Sequence, residues 1–166
     1  MVARSICVWS LAAALVWPAL ATGTEMGKMV KTYLPDGAAA KIVTVTRAGP
    51  ASAGVTVMTE ALATKESGPK ETVEHFGEVY AFSPSFIAVH RDEPTAIDFW
   101  NLQPDDEHDF MLADPHSNVM MSVLLPPLRV TSYVFTFHEE GLFNFYCTMH
   151  QPEMNGQILV LPPLAR

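Results

Sequence analysis

Basic side chains are scarce in this chain: 10 Lys and Arg stand against 18 Asp and Glu, for a formal charge of −8. A surface of that sign excludes a nucleic-acid partner on simple electrostatics and favours basic proteins. Long apolar runs are also missing beyond the N-terminus, so no later segment reaches the roughly 20 residues that span a bilayer. Internal repeats, low-complexity tracts and heptads are absent, which removes solenoids and coiled coils. Helix-period segments are few. Cysteine is the scarcest informative residue, with only Cys7 and Cys147 in 166 residues. Two cysteines cannot make the disulfide framework of a small secreted scaffold, and the absence of Cys-x-x-Cys-His excludes covalently attached haem.

What is present begins at the N-terminus. Residues 1–21 carry one positive charge, Arg4, then an apolar run from Ile6 to Val16 broken only by Ser10. Pro18 and the small-residue frame Ala19-Leu20-Ala21 follow. This is the pattern of a secretory signal, with cleavage after Ala21 or, as a second choice, near Gly23. Removing 21 residues from 166 leaves 145, the size of one domain, and loss of Arg4 takes the charge from −8 to about −9. Cys7 would leave with the signal. A periplasmic or secreted protein would then carry one cysteine into an oxidising compartment without an intramolecular partner. Such a thiol pairs between chains, lies buried and inert, or binds a metal.

Short β-branched and aromatic runs separated by turn residues predict an all-β sandwich. The expected strands are 41–47, 55–60, 74–82, 86–90, 95–102, 109–113, 119–124, 130–138, 142–146 and 157–161. Residues 22–70 have a different composition, rich in Ala, Gly, Thr and Lys, with Tyr33 as the one aromatic. They read as an extension in which 41–47 and 55–60 form a hairpin. The domain proper is expected over 71–166.

The segment from Gly141 to Val160 carries the chemistry. An aromatic strand delivers Cys147; a tight loop then presents His150 and Met154, and Gly156 turns the chain into an apolar strand. A thiolate, an imidazole and a thioether within eight residues make a soft-to-borderline donor set that selects copper over magnesium or calcium. A second histidine from a neighbouring strand completes two nitrogens, one sulfur and a weak axial Met. His108 stands where a polar loop, Asp105-Asp106-Glu107, runs into an apolar strand. His116 in Asp114-Pro-His-Ser is its rival. Glu153 or the backbone are alternatives to Met154 as the axial donor, and an open site would use water or a carboxylate from Asp109, Glu107 or Glu153. The bland readings are a buried core thiol, an ordinary loop histidine and core-filling methionines.

Over residues 74–161 the chain resembles the cupredoxin family, and most of all the copper domains of nitrous oxide reductase and cytochrome oxidase subunit II. The resemblance rests on Phe82-Ser-Pro, Phe86-Ile-Ala-Val, Ile97-Asp-Phe-Trp-Asn101, His108 before an apolar strand, and the strand ending in Cys147. It implies a Greek-key sandwich holding copper through His108, Cys147, His150 and Met154. Binuclear domains carry two cysteines in the loop; the single Cys147 here implies one copper ion, as in small blue copper proteins. Asp109 stands where such proteins often have an Asn bonded to the thiolate, and a carboxylate cannot donate that bond. The gap between His150 and Met154 is three residues, where plastocyanin-like loops have four. Multicopper oxidases flank the cysteine with histidines, whereas Cys147 lies between Tyr146 and Thr148. The function implied is one-electron transfer with a redox protein such as a c-type cytochrome or a terminal reductase or oxidase. A nitrosocyanin-like red-copper enzyme and a copper storage or delivery protein are the alternatives.

Overall fold

The computed structural model describes residues 31–165; the expected signal segment, 1–21, lies outside them. Ten strands form, in chain order, β1 (Val43–Thr46), β2 (Ala53–Ala63), β3 (Val79–Ser83), β4 (Phe86–His90), β5 (Thr95–Asn101), β6 (His108–Ala113), β7 (Val119–Leu125), β8 (Arg129–Phe137), β9 (Gly141–Tyr146) and β10 (Asn155–Leu161). They build two five-stranded sheets, ordered β1-β8-β5-β2-β3 and β4-β10-β9-β6-β7. This is the all-β sandwich that the period-2 alternation predicts. In β5, for example, Ile97 and Phe99 are buried and Trp100 is exposed, so one face of each strand supplies the core.

The core between the sheets is aromatic. Phe99 packs on Phe110 with ring centroids 4.5 Å apart, and Phe82 meets Phe145 at 5.4 Å. Phe137 and Phe143 close the other end at 5.0 Å. These rings come from opposite sheets, so the edge and tilted contacts tie the two layers together as well as excluding water. Gly156, the second residue of β10, lies against this cluster. A Cβ there would overlap the Phe145 ring and the Ser85 carbonyl, so only glycine fits.

Two expectations need correction. Strands β1 and β2 do not form a hairpin with each other. β1 pairs antiparallel with β8, and β2 pairs with β3 and, in parallel, with β5. The β8–β5 pair has an open flank on each side; β1 and β2 satisfy those backbone groups and each buries an apolar face there. The sheet therefore draws its strands from both sides of Glu71. The second correction concerns residues 74–82. A short helix α2 (Lys70–Phe76) takes Glu74, His75 and Phe76, and the strand starts only at Val79. Glu71 in the first turn and His75 in the last suit the helix dipole, and Gly77 at φ +80° ends the helix with its N–H on the Val73 carbonyl. Another short helix, α1 (Ala39–Ile42), runs directly into β1. No helix among the described residues is long and apolar enough to cross a membrane.

Candidate metal centre

The donors converge because neighbouring strands of one sheet bring them to the same end. His108 opens β6, and Cys147 follows β9 directly; the two strands pair, with Met111 opposite Tyr146 and Leu112 opposite Phe145. The loop from Cys147 to Met154 folds back on itself. Cys147 N–H donates to the Met154 carbonyl at 2.9 Å, Met154 N–H to the His150 carbonyl at 3.0 Å, and Gln151 Nε2 to the Cys147 carbonyl at 2.7 Å. This returns His150 towards Cys147 before β10 leaves the site.

The sulfur of Cys147 lies 3.5 Å from His150 Nδ1 and 4.0 Å from His108 Nδ1, and the two Nδ1 atoms are 3.1 Å apart. Among the described His, Cys, Asp and Glu residues these three form a group able to hold a metal ion. A circle through atoms at those separations has a radius of about 2.1 Å, which matches the roughly 2.0–2.3 Å bonds of a first-row ion to nitrogen and sulfur. One ion fits the triangle. Cys147 and His108 are fully buried, and His150 is partly exposed. Burial pushes the Cys147 thiol up to about 12, with the Asp109 carboxylate adding to it against backbone N–H bonds from Asp109 and Met149. Burial, reinforced by the neighbouring His150, holds His108 down to about 4, and burial also lowers His150. At neutral pH all three donors are uncharged.

Met154 is fully buried and its backbone is bonded into the same loop. His116 sits exposed in the turn Asp114–Asn118 and is not among the grouped donors. Glu107 is exposed and Glu153 partly buried. Asp109 is fully buried, yet its carboxylate is occupied elsewhere. It accepts Thr148 N–H at 2.6 Å and the Thr148 hydroxyl at 2.6 Å, and so clamps the residue that follows Cys147.

Sequence reasoning missed two parts of the surroundings. Tyr80 of β3 covers the pair of imidazoles, with its ring centroid 4.4 Å from that of His150 and 5.0 Å from that of His108. Its hydroxyl donates to Asp106 Oδ2 at 2.5 Å; burial, then that carboxylate, raises the phenol above its ordinary value. The other is Gln103, whose Oε1 lies 3.1 Å from His108 Nε2. An aromatic alternating inward along β3 flags Tyr80 as core only, and a Gln in a polar loop carries no pattern at all.

No family model matches the chain, and no curated protein matches it. Solved structures do. Auracyanin B superposes with a TM-score of 0.50 at 14% identity, over 74% of this chain and 99% of that one. A multicopper oxidase superposes with a TM-score of 0.51 at 16% identity, over 68% of this chain but 45% of the oxidase. Amicyanin from Paracoccus versutus gives 0.45 at 19% identity, over 72% and 97%. At these identities the similarity is one of fold.

Proposed function

We propose that this protein binds one copper ion through His108, Cys147 and His150, with Met154 as the axial ligand, and carries single electrons between redox partners outside the cytoplasm. The observation that carries the reading is the donor triangle itself: one thiol and two Nδ1 atoms, uncharged and spaced for a single ion, with Cys147 and His108 buried and His150 partly exposed. A β-sandwich with this donor set at one end supports copper chemistry. Copper bound there supplies a one-electron couple between its two oxidation states.

The residues divide the remaining work. Cys147 gives up its proton and becomes the thiolate donor. His108, anchored at the start of β6, is the rigid buried donor. His150 is the partly exposed one, and its ring edge is the natural contact for a redox protein such as a c-type cytochrome or a terminal reductase or oxidase. Asp109 and the loop's own hydrogen bonds hold the donors in place whether or not charge changes at the site, so little rearrangement accompanies an electron. The excess of acidic residues favours a basic partner. Residues 1–21 are read as the export signal. The sequence is read as that of a cupredoxin resembling the copper domains of nitrous oxide reductase and cytochrome oxidase subunit II, reduced here to a mononuclear site.

The test is the visible spectrum of the purified protein with Cu(II), alongside Cys147→Ser. An intense thiolate-to-copper band, lost in the variant, is the expected result. Copper binding without that band would remove electron transfer and leave storage or delivery as the function. A red rather than blue-to-green spectrum that shifts with azide would instead favour a small-ligand enzyme.

A further inference from the structure

Behind His108 lies a closed network of buried amides and a hydroxyl. Thr59, Asn101 and Gln103 are 1%, 2% and 7% exposed. Asn101 spends both Nδ2 protons on backbone carbonyls, those of Asp106 at 2.8 Å and Leu125 at 2.9 Å. Its Oδ1 is thereby turned inward, where it accepts Gln103 N–H at 3.0 Å and lies 3.0 Å from the Thr59 hydroxyl. That fixes the backbone of Gln103. Its side chain is fixed in turn: Nε2 donates to the Thr59 carbonyl at 3.3 Å, and Oε1 meets the Thr59 hydroxyl. Rotating the amide by half a turn would set Oε1 against the Thr59 carbonyl, acceptor against acceptor. The Thr59 hydroxyl has one proton to give, and its shorter contact assigns that proton to Oε1; with the Nε2 bond to the Thr59 carbonyl this sets the orientation of the amide.

With Oε1 of Gln103 facing His108 Nε2 at 3.1 Å, only an N–H on that nitrogen makes a bond. A neutral imidazole protonated at Nε2 carries its lone pair on Nδ1, the atom turned toward Cys147 and His150. We propose that Gln103 is a positioning residue that selects the Nε2–H tautomer of His108, locks its ring angle, and through that hydrogen bond tunes the electron-donating strength of Nδ1. The tautomer stands on the network alone; the tuning rests on the copper reading above. Hydrogen bonds to the far nitrogen of a ligating imidazole fix its tautomer and raise its basicity.

The tautomer is read without metal, by long-range proton–nitrogen correlation on the metal-free protein at pH 7.5. His108 is expected protonated at Nε2 and bare at Nδ1, with an exchange-protected Nε2 proton. An Nδ1–H form would overturn the proposal. In Gln103→Leu the acceptor is gone, and copper affinity should fall ten- to a hundredfold. Gln103→Glu keeps an acceptor on Nε2–H; its second oxygen replaces the Nε2 donor opposite the Thr59 carbonyl and costs stability, but the variant should keep the tautomer signature and lower the reduction potential because a carboxylate makes Nδ1 more basic. A residue of merely structural importance would instead leave the potential of Gln103→Glu at the wild-type value. Wild-type affinity in Gln103→Leu would also overturn it. If Gln103→Leu fails to fold, the wild-type tautomer and the potential of Gln103→Glu decide. A wild-type protein that takes up no copper refutes the proposed function, while the tautomer measurement still judges Gln103.

Discussion

Asp109 is the sharpest test of how the loop after Cys147 is held. Its carboxylate has no exposure and takes two donors from one residue, the N–H and the hydroxyl of Thr148, each at 2.6 Å. Hydrogen bonds to a charged group are worth about 1.5–3 kcal/mol each, so two would suggest about 3–6 kcal/mol. Two effects reduce that. Thr148 is exposed, so water replaces the lost acceptor for its freed donors, and Asp109→Ala also abolishes the cost of keeping a carboxylate out of water. A net loss of about 2 kcal/mol remains, a fall in Tm on the order of 6–10 °C for a domain of this size.

Asp109→Asn is the informative companion. Its Oδ1 accepts Thr148 N–H while its amide donates to the Thr148 hydroxyl, which turns to accept. Both bonds survive as neutral ones, and the loss should be under about 1 kcal/mol. Thr148→Val removes the opposite partner and leaves a buried carboxylate with one donor, which should cost at least as much as Asp109→Ala. Urea unfolding of the metal-free protein, arranged as a double-mutant cycle, measures all of these; a coupling of about 1 kcal/mol is expected. An Asp109→Ala loss below about 0.5 kcal/mol, or an Asn variant as damaged as the Ala variant, would refute the clamp.

Gly156→Ala should destabilise by about 3 kcal/mol, because its Cβ meets a backbone carbonyl and a ring in the tight core, neither free to retreat; wild-type unfolding would show that β10 shifts easily. The metal-free protein should be most stable between about pH 6.5 and 9. On the acid side, the unfolded chain takes a proton on His108 near 6.5, whereas the folded chain takes it only near 4. The unfolded state thus binds more protons in that window, and stability falls on the order of 3 kcal/mol as pH drops through it. Burial of His150 acts in the same direction. On the alkaline side the unfolded thiol of Cys147 ionises near 9.0 and the folded one near 12, so stability falls again as pH rises above 9. Denaturant midpoints across pH check both limbs; His108→Gln should flatten the acid one, and an unchanged limb would refute its assignment to His108.

Local patterns in the sequence were legible because local physics governs them. Alternation in segments such as Phe143-Asn144-Phe145 marks a half-buried strand wherever it pairs. Cys147, His150 and Met154 fall in a single loop, so spacing alone suggests that they meet. Pairing partners were less accessible: nothing local tells β1 to join β8 rather than β2, since its Val43 and Val45 would bury equally well against either. The helix Lys70–Phe76 was hidden because Val73 and Phe76 sit among polar residues in a stretch too short to display a period, and its stop depends on the backbone angle of Gly77. Asp109 was conspicuous as an unusual neighbour of His108, but its partner Thr148 lies 39 residues away. Gln103 was silent for the same reason, its side chain being held by Thr59, 44 residues away in β2.

Burial also decides which charge the centre tolerates. With His108 neutral down to about pH 4 and Cys147 protonated up to about 12, the three donors carry no charge at neutral pH. A monovalent cation that replaces the thiol proton leaves that charge unchanged, whereas a divalent one adds a net positive charge to a region with little access to water. Extra charge there lacks the solvation it would have at the surface. Under the proposed reading the site therefore favours the reduced ion, and its potential lies above that of an exposed centre with the same donors. Tyr80 is the cover that keeps it so, its ring lying against both imidazoles. Tyr80→Ala opens that side to water and should stabilise the oxidised form at least tenfold relative to the reduced one, a fall of about 59 mV or more in the one-electron potential by voltammetry. The donors themselves are untouched, so the thiolate-to-copper band should persist. An unchanged or raised potential in a variant that keeps the band would show that solvent exclusion by Tyr80 does not set the charge preference of this centre.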